Sequence, residues 1–321
     1  MDTLLGPVVL LRTFYLAASA FILLVQAIPL LRTRFLAYGS RSSAPSASRA
    51  DTEKRFGSIL EQALDRLARI RVPHSYFTHF YIVSVACSLL WGWQLWRRPR
   101  LSLGNVLHAP LDASVEAVTV GQVQLAWLLM LLQGVRRMCE SYSYMSTSKS
   151  QMWVGHYLLG ILFYLTANVA IWLEAAGDMQ EHLPAAFFFG EGANRAPWEA
   201  QRVQWKIAVL VPGILTAHVL QHMYHAYLYR LRTEHTTYQL PSHPLFSNLL
   251  CPHYTCEIFI YLFLSFLAAP IGRFINWTLL AATVFVAANL GVTAAGTKEW
   301  YMQRFGPQKV KNRKRMVPWI W

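Results

Sequence analysis

The chain has 321 residues and a formal net charge of +13, and is 55% hydrophobic against 14% charged, with a mean hydropathy of +0.29. A soluble domain carries about 25% charged residues, so this chain has too few to coat a water-facing surface. That argues against a water-soluble enzyme, and the apolar content excludes a disordered chain. The basic excess suits nucleic acid in a soluble protein, but in a membrane protein it marks Lys and Arg held on the cytosolic side.

A helix needs about 20 mostly apolar residues to cross the hydrocarbon core. Seven stretches qualify: Leu4–Leu31, Tyr76–Trp96, Ala117–Val135, Met152–Leu173, Val203–Tyr224, Cys256–Ile271 and Phe274–Gly296. The first is too long for a signal-peptide core and lacks a small-residue cleavage site, so it reads as retained. Between the first two spans, Gly39–Arg49 reads as a flexible linker. Asp51–Arg71 follows as an amphipathic helix with Phe56, Ile59, Leu60, Ala63, Leu64 and Leu67 on one face, suited to a membrane surface or to a solvated connection. Residues 32–72 are thus a cytosolic linker and helix. Spans six and seven are separated by Gly272–Arg273, which suggests a tight hairpin. With alternating loops, one side of the membrane holds 21 Lys and Arg and the other holds 6, so the C-terminus is cytosolic and the N-terminus lumenal. The fold expected is all-α: a single integral membrane domain over residues 1–321, with seven transmembrane helices.

Cys87, Cys139, Cys251 and Cys256 form no CxxC pair and read as reduced packing residues. His218, His222 and His225 share one face of span five, but a membrane di-iron site needs several such clusters with carboxylates, so no metal is assigned. Their other readings are interfacial hydrogen bonding and the lining of a polar cofactor pocket. Polar residues at membrane depth are functional candidates by default, which selects Gln221, Glu257 and Asn289. Arg136 and Glu140 are spaced to pair on one helix face, with Arg137 beside them. The tail from Trp300 alternates aromatics with the basic run Lys309–Arg315 and ends in the apolar Pro318–Trp321. It suits anionic lipid, or a cofactor phosphate gripped by arginine and lysine. Gly190-Glu-Gly192 lacks the third glycine and the βαβ context of a dinucleotide fingerprint, so a Rossmann domain is excluded and any nicotinamide cofactor must bind in the helical bundle.

The segments Leu245-Phe246, Cys251–Glu257, Lys298–Tyr301 and Lys311–Pro318 resemble the C-terminal domain of the steroid 5-alpha-reductase family. Val72–Tyr81, Arg136–Glu140 and Leu11-Arg12 resemble its polyprenol reductase branch, so the resemblance covers most of the chain except the linker and lumenal loops. It implies a multi-pass enzyme of the endoplasmic reticulum membrane with an NADPH-binding region over residues 203–321. The implied reaction saturates the α-isoprene double bond of a long polyprenyl chain on the way to dolichol for N-glycosylation. Implied cofactor-binding residues are Gln221, His225, Arg232, Tyr238, His253, Glu257, Tyr301, Arg313 and Lys314; Asn289, from its membrane depth, and Lys298, from its place beside Tyr301, are added to them. Implied substrate contacts are Tyr81, Arg137 and Glu140. Lys298 stands where the family often has histidine. The glutamate and tyrosine that hold a steroid carbonyl align with Arg71 and Gly134, which argues against a steroid substrate.

Hydride adds to the β-carbon of a double bond conjugated to a carbonyl, not to an isolated alkene, so polyprenal is the expected substrate rather than polyprenol. The donor to the developing enolate oxygen is sought among His79, Tyr81, Arg137 and Tyr301, with His79 favoured by motif position and Tyr301 beside it. The lipid tail is expected to leave laterally along the apolar faces of spans one to four. Partners are the polyprenyl lipid and membrane lipids, with no nucleic acid and no protein partner assigned. The rival readings are an S-adenosylmethionine-dependent membrane methyltransferase, which has no phosphate for Arg313 and Lys314 to grip, and a non-enzymatic lipid scaffold or transporter.

Overall fold

A computed structural model describes residues 6–36, 59–97, 120–145, 150–174, 197–246, 248–269 and 273–318. The linker, Phe56, residues 98–116 and 175–196 of the two predicted lumenal loops (Gly190–Gly192 among them) and Trp319–Trp321 lie outside the described residues.

Helices stand at all seven predicted stretches, but their ends differ from expectation. The first stretch is two helices, α1 (Pro7–Ala27) and α2 (Pro29–Phe35). The break falls at Ile28, which is extended (φ −94°, ψ 109°) because the proline that follows disfavours the helical conformation. Helix α3 (Ile59–Arg69) is the described part of the amphipathic segment; it stops before Arg71 because Arg71–Pro73 becomes strand β1. Strand β1 pairs antiparallel with β2 (Gln151–Trp153), Val72 opposite Met152, a small sheet that the all-α expectation lacked. A 3-10 turn (His74–Tyr76) then leads into α4 (Phe77–Arg97); α5 (Val120–Ser143) and α6 (Val154–Leu173) follow.

Helix α7 (Pro197–Thr233) runs through Pro212 and reaches nine residues past the predicted end of span five. Such a proline is tolerable where neighbouring groups take up the freed carbonyl. Helix α8 (Pro252–Leu267) has 16 residues, about 24 Å, which is short for a full crossing. Spans six and seven are not joined at Gly272–Arg273 alone: α8 ends at Leu267, and α9 (Trp277–Phe305) starts from Asn276, whose side chain accepts from Leu279 N at 2.9 Å. Helix α9 also continues through Lys298 and Tyr301, which the sequence reading set in the tail. It ends at Gly306 (φ 87°), a left-handed cap suited to glycine, and α10 (Pro307–Val310) follows.

Four described helices, Pro7–Ala27, Val154–Leu173, Gln204–Thr233 and Trp277–Phe305, are long and apolar enough to cross a membrane. Large apolar side chains such as Leu16, Phe21, Leu90, Leu158 and Val209 face outward, as lipid contact requires. Inside, α1 packs on α9, α8 on α7 and α9, and α4 on α5 and α6, around a core that includes Tyr15, Phe163, Trp172, Tyr261 and Phe285. At one end, Arg12 of α1 donates to Glu174 Oε1 and Thr278 Oγ1, both at 3.0 Å, pinning α1, the end of α6 and the start of α9. The four cysteines are unpaired; Cys251 and Cys256 are buried as expected, whereas Cys139 is exposed.

The tail folds back. Leu250 and Cys251 donate backbone hydrogen bonds to the carbonyls of Lys314 and Arg315, and Met316 joins Leu250, Cys251, Ala294 and Val310 in a small core. The fold-back is seen as far as Met316 and Val317.

Candidate active site

Three helices bring their polar residues to one level. On α5, Arg136 donates to Glu140 Oε1 at 2.6 Å, the pair that the four-residue spacing anticipates. Arg136 also reaches Gln133 Oε1 (2.7 Å), Gln221 Oε1 of α7 and His218 Nδ1 (3.2 Å). Glu257, at the start of α8, accepts from Gln133 Nε2 with both oxygens at 2.9 Å and from Gln221 Nε2. With Arg137, which donates to Glu140 Oε2 at 2.6 Å, two arginines and two carboxylates share one network, so that its buried charges are paired.

Glu140 is its centre. Burial disfavours its charged form, but the hydrogen bond and charge of His225 and the charges of Arg137 and Arg136 outweigh this and hold its carboxyl well below the usual range. His225 Nδ1 lies 2.7 Å from Glu140 Oε2 and 2.9 Å from Arg137 Nη1. The carboxylate can only accept, so the His225 proton is assigned to Nδ1, which donates to Glu140 Oε2; Arg137 Nη1 donates to the same oxygen rather than to Nδ1, and Nε2 is left as an acceptor. His218 and His222 are absorbed into the same network through Arg136 and Glu140, and no group of three or more potential metal ligands occurs among the described residues.

Two hollows adjoin this network, and a third shares wall residues with one of them. A cavity of about 340 Å³ is walled by Tyr81, Arg137, Gln221, His225, His253, Glu257 and Asn289 together with Phe80, Phe163, Tyr164 and Phe285. A vestibule of about 610 Å³ shares His74, Phe77, Tyr81, Arg137 and His225 with it and adds Glu140, Ser141, Tyr229 and Arg232. A groove of about 650 Å³ between α1, α2, α3 and α6 is lined by Phe14, Ala17, Ala18, Phe21, Ile22 and Leu67 and meets the cavity at His156, Leu159 and Asn289. Gly160 opens the cavity wall: a Cβ there would sit 2.6 Å from the Phe80 ring.

Of the residues singled out from sequence, Tyr81, Arg137, Gln221, His225, His253, Glu257 and Asn289 line the cavity, and Glu140 and Arg232 the vestibule. Others stand apart. His79 points to Tyr157, with Nδ1 3.1 Å from the hydroxyl, and stacks on Tyr76 rather than lining any of the three hollows. Tyr301 packs in the tail core between Trp300 and Phe305. Lys298 donates to the carbonyls of Lys311 and Arg313, and Arg313 donates to the carbonyls of Pro241, Phe246 and Leu249. Burial pulls the Arg313 guanidinium below its ordinary value. The Lys314 backbone bridges Asn248 and Leu250, while Tyr238 receives the guanidinium of Arg232 over its ring at 4.3 Å. Sequence reasoning missed Gln133, Tyr164 and His156. Gln133 and His156 carried the readable signal, a polar side chain within an apolar helix.

A nicotinamide cofactor fits the residues present. Arg137 Nε and His253 Nδ1, on two cavity-lining side chains, are buried with no partner among the described residues, and Arg232 adds a cation in the adjoining vestibule.

Comparison with known proteins agrees with this chemistry. Residues 185–321 match the family model described as 3-oxo-5-alpha-steroid 4-dehydrogenase. The chain is 26% identical to polyprenal reductase 2 of Oryza sativa subsp. japonica, over 91% of this chain and 89% of the relative. It is 25% identical to polyprenal reductase of Caenorhabditis elegans (83% and 85% covered) and 26% identical to that of Saccharomyces cerevisiae (84% and 80%). The steroid 5-alpha-reductase resemblance read from the tail motifs falls within the matched segment, and the similarity to polyprenal reductases extends over most of the chain.

Proposed function

We propose that the protein is an NADPH-dependent reductase that saturates the α-isoprene double bond of polyprenal, in the dolichol branch that serves N-glycosylation. It is a protein of the endoplasmic reticulum membrane with seven spans, a lumenal N-terminus and a cytosolic C-terminus. The 21-to-6 division of basic residues supports the orientation. The polyprenal reductase relatives support the substrate class.

The observation that carries the reading is that a small polar-walled cavity and an apolar groove share His156, Leu159 and Asn289 as wall residues. That shape suits a substrate with a reactive polar head and an isoprenoid chain too long to enclose. The groove lies along α1 and α6, two of the predicted exit helices, with α2, α3 and Asn289 of α9 completing it. The nicotinamide cofactor supplies hydride when bound. Gln221, His225, His253, Glu257 and Asn289 would hold its ring end, and Arg232 with Lys314 would face its phosphates. Phe80, Phe163, Tyr164 and Phe285 keep water from the reacting carbon. The protein stabilises negative charge developing on the carbonyl oxygen through donors in the cavity wall.

The test uses purified full-length protein in lipid, with NADPH and either polyprenal or polyprenol, the lipid followed by mass spectrometry. A gain of two hydrogens with polyprenal alone is expected. A gain with polyprenol alone would overturn the conjugation argument, and no gain with either, alongside tight S-adenosylmethionine binding, would move the reading to a methyltransferase.

A further inference from the structure

We propose that Tyr81 is the acid that meets the carbonyl oxygen of the enal, and that Arg137 is the residue that positions it. The proposal rests on the enal reductase reading. Tyr81 stands on α4, is 6% exposed, and lines both the cavity and the vestibule. Its hydroxyl oxygen accepts from Arg137 Nη2 at 2.7 Å, and the same guanidinium lies 4.8 Å from its ring centre. The ring of Tyr164 on α6 packs edge-on against that of Tyr81, with centroids 5.6 Å apart. Arginine has no acceptor, so the Tyr81 proton is never taken up by that bond and stays available to a ligand. Arg137 is itself fixed by Glu140, Nη1 to Oε2 at 2.6 Å, so the donor is held in place before substrate arrives. His79 and Tyr301 lack this position, since neither lines the cavity.

The step balances as follows. Hydride, with its electron pair, forms a C–H bond at the β-carbon while the alkene π electrons move toward the carbonyl. The oxygen takes the Tyr81 proton, leaving an enol and a tyrosinate opposite the Arg137 cation. The tyrosinate recovers a proton from water on the vestibule side, where Thr78 and Ser141 hydrogen-bond at 3.0 Å. The enol then tautomerises: the α-carbon gains a proton from water and the oxygen returns one. The sum is enal plus hydride plus one proton, giving the saturated aldehyde.

Tyr81→Phe, in full-length protein in lipid, should lower kcat with polyprenal by about 10²–10³-fold, as loss of one donor to a developing oxyanion does. NADPH affinity, read by quenching of protein fluorescence, should stay within about threefold of wild type because the cofactor loses no contact. Arg137→Lys should lower kcat less than Tyr81→Phe does, because an ammonium still donates to Tyr81 without fixing its angle. Turnover by Tyr81→Phe at the wild-type rate would overturn the proposal alone. Loss carried by His79→Phe and not by Tyr81→Phe would move the acid to His79. A wild type that leaves polyprenal unreduced would overturn the reductase reading and this proposal with it. Should Tyr81→Phe fail to fold, fluorotyrosine at position 81 keeps the hydroxyl and acidifies it. The alkaline limb of kcat/KM should then move to lower pH against the unchanged Arg137, Tyr164, His225 and Glu257 around it, and an unmoved limb overturns the proposal.

Discussion

Arg313 shows how one side chain changes meaning between sequence and structure. In the sequence it belongs to a basic run suited to phosphate; in the structure its guanidinium donates to three carbonyls of the α7–α8 connection. Arg313→Lys keeps the charge but cannot bridge three carbonyls from one ammonium, and stranding buried acceptors costs about 1–3 kcal/mol. The variant should melt at lower temperature than wild type in a detergent thermal-shift assay. Lys314→Ala should instead melt near wild type and raise the KM for NADPH by about tenfold, the scale of one lost charge-assisted hydrogen bond. A raised KM for Arg313→Lys with unchanged melting would return Arg313 to the phosphate.

Helices α1, α2, α3 and α6 make the apolar groove, and small residues widen it. Ala17 and Ala18 on α1 leave room that a larger side chain would fill. Ala18→Trp should cut kcat/KM for long-chain polyprenal by about 100-fold or more, since each buried carbon contributes about 0.8 kcal/mol and one displaced isoprene unit carries five. A two-isoprene enal should be reduced near the wild-type rate, measured by NADPH absorbance. Equal loss for both would show that the chain leaves elsewhere. On α3, Ile59, Leu60 and Leu67 are exposed large apolar side chains, which suits contact with the membrane surface better than full solvation.

At the scale of the whole molecule, the Glu140 network ties α4, α5, α7 and α8 together through Tyr81, Arg136, Arg137, Gln221 and Glu257. Because the folded carboxyl is held below its unfolded value of about 4.3, its stabilisation is complete at neutral pH and fades as pH falls below about 5. Glu140→Gln should destabilise the fold by about 3–5 kcal/mol at pH 7, because Arg136 and Arg137 lose the carboxylate that both hydrogen-bond and Glu257 alone remains to balance them. The loss should shrink as the wild type itself weakens toward pH 4, and denaturation followed by tryptophan fluorescence across pH 4–8 checks this. Orientation belongs to the same scale. A glycosylation acceptor appended to the N-terminus should be modified in cells, and one appended to the C-terminus should not.

The sequence alone determined the membrane class, the position of the long helices among the described residues and the Arg136–Glu140 pair. Apolar length and i,i+4 spacing are local properties, and the bilayer leaves the backbone few alternatives to a helix. The tail motifs likewise carried the family resemblance, since their order is written in the chain. Only the tertiary structure decided where helices end, as with α8 at Leu267, and that Lys298 and Tyr301 lie within α9. It alone separated cavity-lining residues from those beside it: Tyr81 and His79 are two residues apart on α4, about 200° around the helix, and only Tyr81 lines the cavity. The physical reason is that a site is a meeting of faces from α4 to α9. Which faces meet depends on packing among residues far apart in the chain, as with Arg137 and Tyr81, or Gln133 and Glu257.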